Sequence, residues 1–136
     1  MIPKVVQSEH FTGSETGSGR SFEERIVIDC VFEDYTNEGA MLSNSVFIGC
    51  AFKNVDFYWA HLFRTRFLNC EFDVVDLRGA DLADAVFVDC RLFRCDFSND
   101  NLGGDTSLTK TLFHESKQTD CRYSTEPPSK RPQKRK

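Results

Sequence analysis

The chain has 136 residues, with 17 Lys and Arg against 21 Asp and Glu and a formal net charge of −4. That length is one domain's worth, and with no run of about twenty apolar residues the sequence excludes a transmembrane helix. The charge is uneven: residues 21–105 hold sixteen acids and seven bases, net −9, and residues 106–136 three acids and eight bases, net +5, so an acidic body carries a basic tail.

Residues 1–20 mix Ser, Thr, Gly and Glu and read as a flexible N-terminal arm, with Val5, Val6 and Phe11 available to fold over whatever follows. The arm lacks a basic start followed by an apolar block, so a signal peptide is not expected. From Ser21 a five-residue pattern starts imperfectly. Phe22, Val27 and Phe32 are in phase, while Arg25 and Asn37 break it. Between Met41 and Leu102 the pattern is strict. Every fifth residue is Phe or Leu, from Leu42, Phe47, Phe52 and Phe57 through to Phe97 and Leu102. Two residues before each stands a small side chain, such as Cys50, Ala60, Thr65 or Cys90, with only Asp100 out of type. A period of five fits neither a helix nor a simple strand. The chain must therefore turn every five residues, with the large and small side chains filling the inside of a narrow tube.

Ala80-Asp81-Leu82-Ala83-Asp84, with Val55-Asp56-Phe57, Val75-Asp76-Leu77 and Cys95-Asp96-Phe97, resembles the motif of the pentapeptide-repeat family. The resemblance implies an all-β fold, a right-handed quadrilateral parallel β-helix of about four coils, each coil holding four pentapeptides. The sequence supplies its own check. Cys30, Cys50, Cys70 and Cys90 are spaced by twenty, as are Phe32, Phe52, Phe72 and Leu92, which is the stacking that four sides to a coil requires. The β-helix is expected over residues 21–105, closed by Gly103-Gly104-Asp105. Leu108, Leu112 and Phe113 fall on one helical face, so a short C-terminal capping helix is expected over 106–121 as a lid on the open coil. Residues 122–136, Pro-rich and basic, read as a disordered tail.

Five of the six Cys occupy the small inward position, where a thiol packs as a small buried hydrophobe. No CxxC pair or His-rich cluster offers metal-ligand spacing. The expectations are free thiols, a cytoplasmic location, and no metal or cofactor. His10, His61 and His114 are far apart, and no nucleophile or phosphate-loop motif is present, so no catalytic residue is assigned. The ladder of Asp56, Asp76 and Asp96 falls at the position where the family carries Asp on its outer surface.

Two outward features depart from polar. Tyr58, Trp59, His61, Phe63, Arg64 and Arg66 put aromatics and Arg where small polar residues are usual, and they form the candidate partner-binding patch; packing against a tail, or a mere scatter of surface residues, is the competing reading. Val46, Ile48, Leu68, Val86 and Val88 form an apolar ridge, either covered by the arm or lid or open to self-association as a homodimer. The leading functional expectation is a non-catalytic protein-protein interaction module of a small bacterial protein. The alternative implied by the resemblance is a DNA mimic that binds or protects a type II topoisomerase such as gyrase. Nucleic-acid contact through the basic tail is the lesser reading, against a tail that only solubilises.

Overall fold

The computed structural model describes residues 4–15, 21–102 and 104–123. The chain winds as a parallel β-solenoid with four sides to a coil. Coils begin at Ser21, Met41, His61 and Asp81 and a closing coil at Ser107, joined along the first side by the bridges Ser21–Met41–His61–Asp81–Ser107. The second side is a six-stranded sheet of β1 (Lys4–Gln7), β3 (Arg25–Ile28), β5 (Val46–Ile48), β7 (Arg66–Leu68), β9 (Val86–Val88) and β12 (Leu112–His114), in that order. The third and fourth sides share a sheet of β2 (His10–Glu15), β4 (Val31–Asn37), β6 (Ala51–Asp56), β8 (Glu71–Asp76), β10 (Arg91–Phe93) and β13 (Lys117–Thr119), with β11 (Asp96–Phe97) pairing β8 and β14 (Arg122–Tyr123).

The period of five has a backbone cause. At the second residue after each centre but Phe97 the backbone is left-handed, as at Asp29 (φ 52°), Asn44 (φ 61°), Asn69 (φ 55°) and Gly49 (φ 64°), and that residue turns the corner. Asp, Asn and Gly tolerate this conformation best. Trp59, Arg64, Val74 and Arg94 hold it as well, and a β-branched residue such as Val74 (φ 61°) is strained there.

Inside, like residues stack on like. Phe52 lies nearly parallel to Phe32 at 4.9 Å and to Phe72 at 4.7 Å between ring centroids, and Phe47, Phe67 and Phe87 form a second stack. The small position does more than leave room. Cys50, Cys70 and Cys90 donate their thiol hydrogens to the carbonyls of Val27, Phe47 and Phe67 at 3.3–3.4 Å, each a centre residue one coil earlier. Thr65 Oγ1 does the same for Leu42 at 2.8 Å. These donors add buried side-chain hydrogen bonds from one coil to centre-residue carbonyls of the coil before. All six cysteines are free.

The structure corrects several expectations. No helix forms over 106–121. Six extra residues between Ser98 and Asp105 shift the phase, and the repeat resumes with Thr106, Thr111, Ser116 and Cys121 standing two before Leu108, Phe113, Gln118 and Tyr123. Leu112, Lys117 and Arg122 donate their N–H groups to the carbonyls of Ala85, Cys90 and Cys95 at 2.9–3.0 Å. Cross-coil pairing along a ready edge thus overrides a weak helical pattern. Leu102, in phase by count, is 81% exposed rather than inward. Of the expected arm, residues 4–15 form β1 and β2, a partial first coil with Val6 opposite Val27 and Phe11 opposite Phe32. Asn37 is a buried centre residue after all, its Nδ2 donating to the hydroxyl of Tyr35 at 3.1 Å. Arg122 and Tyr123 belong to the solenoid rather than to the tail, whose remaining residues lie outside those described.

Candidate functional site

The inserted residues form a loop at the corner between the fourth and first sides, and the aromatics of the candidate patch hold it. Trp59 sits left-handed at its own corner (φ 60°), its indole laid over Gly79 of the next coil. A Cβ on Gly79 would come within 2.3 Å of Trp59 Cδ1, so only glycine admits the ring. The indole Nε1 donates to Asp100 Oδ2 at 2.7 Å. Asp100 Oδ1 in turn accepts from the backbone N–H groups of Leu102 at 2.8 Å and Gly104 at 2.6 Å. The indole hydrogen bond, with those backbone N–H groups, holds the Asp100 carboxyl below the usual aspartate range.

Tyr58 is buried and stacked on Trp59 at 4.7 Å, and its hydroxyl accepts the Asn101 N–H at 2.9 Å. Arg78 lies 5.2 Å from the Tyr58 ring and donates to Asn101 Oδ1 at 3.1 Å and to both carboxylate oxygens of Asp76 at 2.8–3.0 Å. That bidentate pair fixes the guanidinium as a charged strut. Thr106 closes the loop, its hydroxyl accepting the Gly79 N–H at 2.7 Å and donating to the Ser98 carbonyl at 2.8 Å. At the far end of these braces Leu102 projects into solvent.

The six patch residues therefore do different things. Tyr58 and Trp59 brace the loop, although Trp59 keeps 42% of its surface exposed. His61 is exposed on the first side, Phe63 is half-buried beneath the Arg64 guanidinium at 5.2 Å, and Arg64 occupies the next corner. Arg66 is exposed on β7, round that corner on the second side. Sequence reasoning missed Arg78, Gly79, Asp100 and Asn101. The available signal was the resumption of the five-residue spacing at Leu108, six residues out of phase, which marks the preceding stretch as an insertion.

The ridge residues lie together on the second side. One outward column reads Val5, Ile26, Val46, Arg66, Val86, Leu112, and the other Gln7, Ile28, Ile48, Leu68, Val88, His114, both fixed by strand register. Of the segments expected to cover the ridge, 4–15 and 106–121 instead extend the solenoid at either end.

The Asp56, Asp76 and Asp96 ladder has a local role. Each Oδ1 accepts the backbone N–H two residues on, at Tyr58, Arg78 and Ser98, all at 3.0 Å, stabilising the corner. Among the described residues no group of three or more His, Cys, Asp or Glu is arranged to hold a metal ion, and no helix is long and apolar enough to cross a membrane. At the closing end the hydrogen bond from Cys95, set against the effect of burial, draws the half-buried Cys121 thiol down to about 7. Cys95 itself is pushed well up by that neighbour and by its burial.

No curated protein matches the chain. Among solved structures it is similar to trypsin-treated QnrB1, a plasmid-mediated fluoroquinolone resistance protein, at 17% identity and TM-score 0.43 over 88% of this chain and 72% of that one. It is also similar to a pentapeptide repeat protein of the Arabidopsis thaliana thylakoid lumen, at 14% identity and TM-score 0.41 over 83% of this chain and 60% of that one. A third similarity is to the pentapeptide repeat protein Rfr23 of the cyanobacterium Cyanothece 51142, at 13% identity and TM-score 0.36 over 89% and 85%. The family profile described as Pentapeptide repeat region matches residues 40–123, more than half of the sequence, and the chain belongs to the pentapeptide-repeat family.

Proposed function

We propose that the protein is a non-catalytic interaction module that presents a rigid surface to a protein partner. The observation that carries this reading is the braced loop. Trp59, Tyr58, Arg78 and Thr106 all hold a six-residue insertion whose tip is the exposed Leu102. Ordering a loop before it meets its partner removes an entropic cost of binding. An exposed Leu tied through Asp100 to the exposed Trp59, with His61 on the first side and Arg64 at the next corner, supplies residue types suited to an interface. The test is a photo-crosslinking residue at position 102, with a control at Asn54 on another corner, in the native host. One protein adduct specific to position 102, lost on Arg64→Glu or Trp59→Ala, is the expected result. The same adducts from both positions, or none, would end the reading.

The DNA-mimic alternative draws on one feature, the net −9 of residues 21–105. Local pairing works against it, because Arg78 binds Asp76 and Arg91 binds Glu71 on the same solenoid. A supercoiling assay decides: gyrase unaffected by micromolar protein removes this alternative.

A further inference from the structure

The outward face of the second side is an apolar surface apart from the loop. Nine of its twelve outward positions are aliphatic. Val5 and Leu112, at its two ends, are each 52% exposed, and the aliphatic residues between are half-buried. Contiguous aliphatic surface of this kind marks an interaction site. One charge interrupts it. Arg66, exposed on the fourth of the six strands, makes no ion pair among the described residues. The other arginines of the regular coils have partners: Arg25 donates to the Glu23 carbonyl at 3.1 Å, and the rest lean on a carboxylate or an aromatic ring. Arg78 and Arg91 pair with Asp76 and Glu71, and Arg64 and Arg94 lie over Phe63 and Phe93.

The dimensions of the face select an occupant. Three residues per strand make it about 10 Å wide, and six strands with about 4.8 Å spacing make it about 24 Å long. An α-helix is about 10 Å across and rises 1.5 Å per residue, so about sixteen residues span it lengthwise. An added β-strand gains nothing here, because the backbone groups of this sheet are already paired with the strands above and below; a helix satisfies its own backbone. Covering Arg66 with apolar surface would strand a charge, whereas a carboxylate opposite it completes a pair.

We propose that this face receives an amphipathic helix of a partner protein, about sixteen residues long, laid along the solenoid axis with an acidic residue near its middle against Arg66. This goes beyond the interaction-module reading, since it assigns a second surface and the chemistry of what sits there. The probes are two synthetic sixteen-residue stapled helices with a Leu stripe, one carrying Glu and the other Lys at the centre of the stripe. Binding is read by fluorescence polarisation on the full chain, on Arg66→Glu and on Leu68→Glu, with a thermal melt of each variant. Both substitutions are outward, so the melts should change little. The wild type should prefer the Glu peptide by about tenfold. Arg66→Glu should reverse that preference, and Leu68→Glu should abolish binding of both peptides. Equal affinity for the two peptides, no binding of either, or binding that survives Leu68→Glu overturns the proposal. So does a dimer by light scattering that Ile48→Lys dissolves, since the occupant is then a second copy. These readouts do not involve Leu102, so failure here leaves the loop experiment standing, and the reverse also holds.

Discussion

From Met41 to Phe97 the solenoid repeats every twenty residues, whereas the closing coil returns to the same register only after twenty-six, Asp81 pairing with Ser107. The two regions have the same sides and the same corner hydrogen bonds. Thr111 Oγ1 reaches the Leu82 carbonyl at 2.7 Å, as Thr65 Oγ1 reaches Leu42 at 2.8 Å. Register is therefore set by the edge that each coil offers to the next, and the count along the chain is secondary. Six additional residues at one corner add little closure entropy, and the tube is undisturbed because none of the described inserted residues is buried.

The largest effects should separate a stack with neighbours on both sides from one at the end. Phe52→Ala, between Phe32 and Phe72, should cost about 3–5 kcal/mol in urea unfolding. Phe113→Ala, stacked on Phe87 alone among the parallel rings, should cost about 1–3 kcal/mol. Equal losses would mean that the closing coil is as integral as the middle ones.

Next in size is Gly79→Ala, which forces a side chain at φ 72° and drives out the Trp59 indole. A loss of about 1–3 kcal/mol is expected. Emission from the only tryptophan should shift to the red, and an unshifted spectrum would show the brace to be dispensable.

Val74→Asn should act in the opposite direction, raising stability by about 1 kcal/mol in the same urea assay. It relieves a β-branched residue at φ 61° and extends a polar column in which Asn54 already donates to Asp34 at 2.8 Å.

The smallest effect is confined to the loop. Asp100 has a depressed carboxyl pKa in the folded state, so its contribution is complete above the ordinary value of 3.8 and is lost as pH falls through the lower folded value. Trp59 emission should change in that acid window while the far-ultraviolet circular dichroism holds. If the two move together, the loop is not a separate unit.

The sequence made the core legible wherever one position was repeated without interruption. Leu42, Phe47, Phe57, Leu62, Phe87 and Phe97, all placed inside by spacing alone, are buried in the structure. Legibility failed where phase and composition disagreed. Leu102 kept the count but belongs to the insertion, and Leu108, Leu112 and Phe113 imitated a helical face because two consecutive apolar residues stood on opposite sides of one strand. The arm was misread for a related reason, since Val6 and Phe11 are five apart but precede Val27 and Phe32 by twenty-one. The aromatic patch was visible as composition, yet its bracing role depends on Gly79 and Asp100, whose contacts with Trp59 span twenty and forty-one residues and have no local signature.

One substitution already present in the fold bears on how such a tube survives chemical attack. In the column of Cys30, Cys50, Cys70 and Cys90 the closing coil has Ser116, whose hydroxyl donates to the Phe87 carbonyl at 3.1 Å just as the thiols donate one coil apart. Oxygen and sulfur are interchangeable anchors at this slot. A peroxide that converts a thiol to an acid would destroy the donor and swell the tube, while a hydroxyl is inert to it. Replacing the column's cysteines by serine therefore exchanges a little packing volume for resistance to oxidation, with the anchoring hydrogen bond kept.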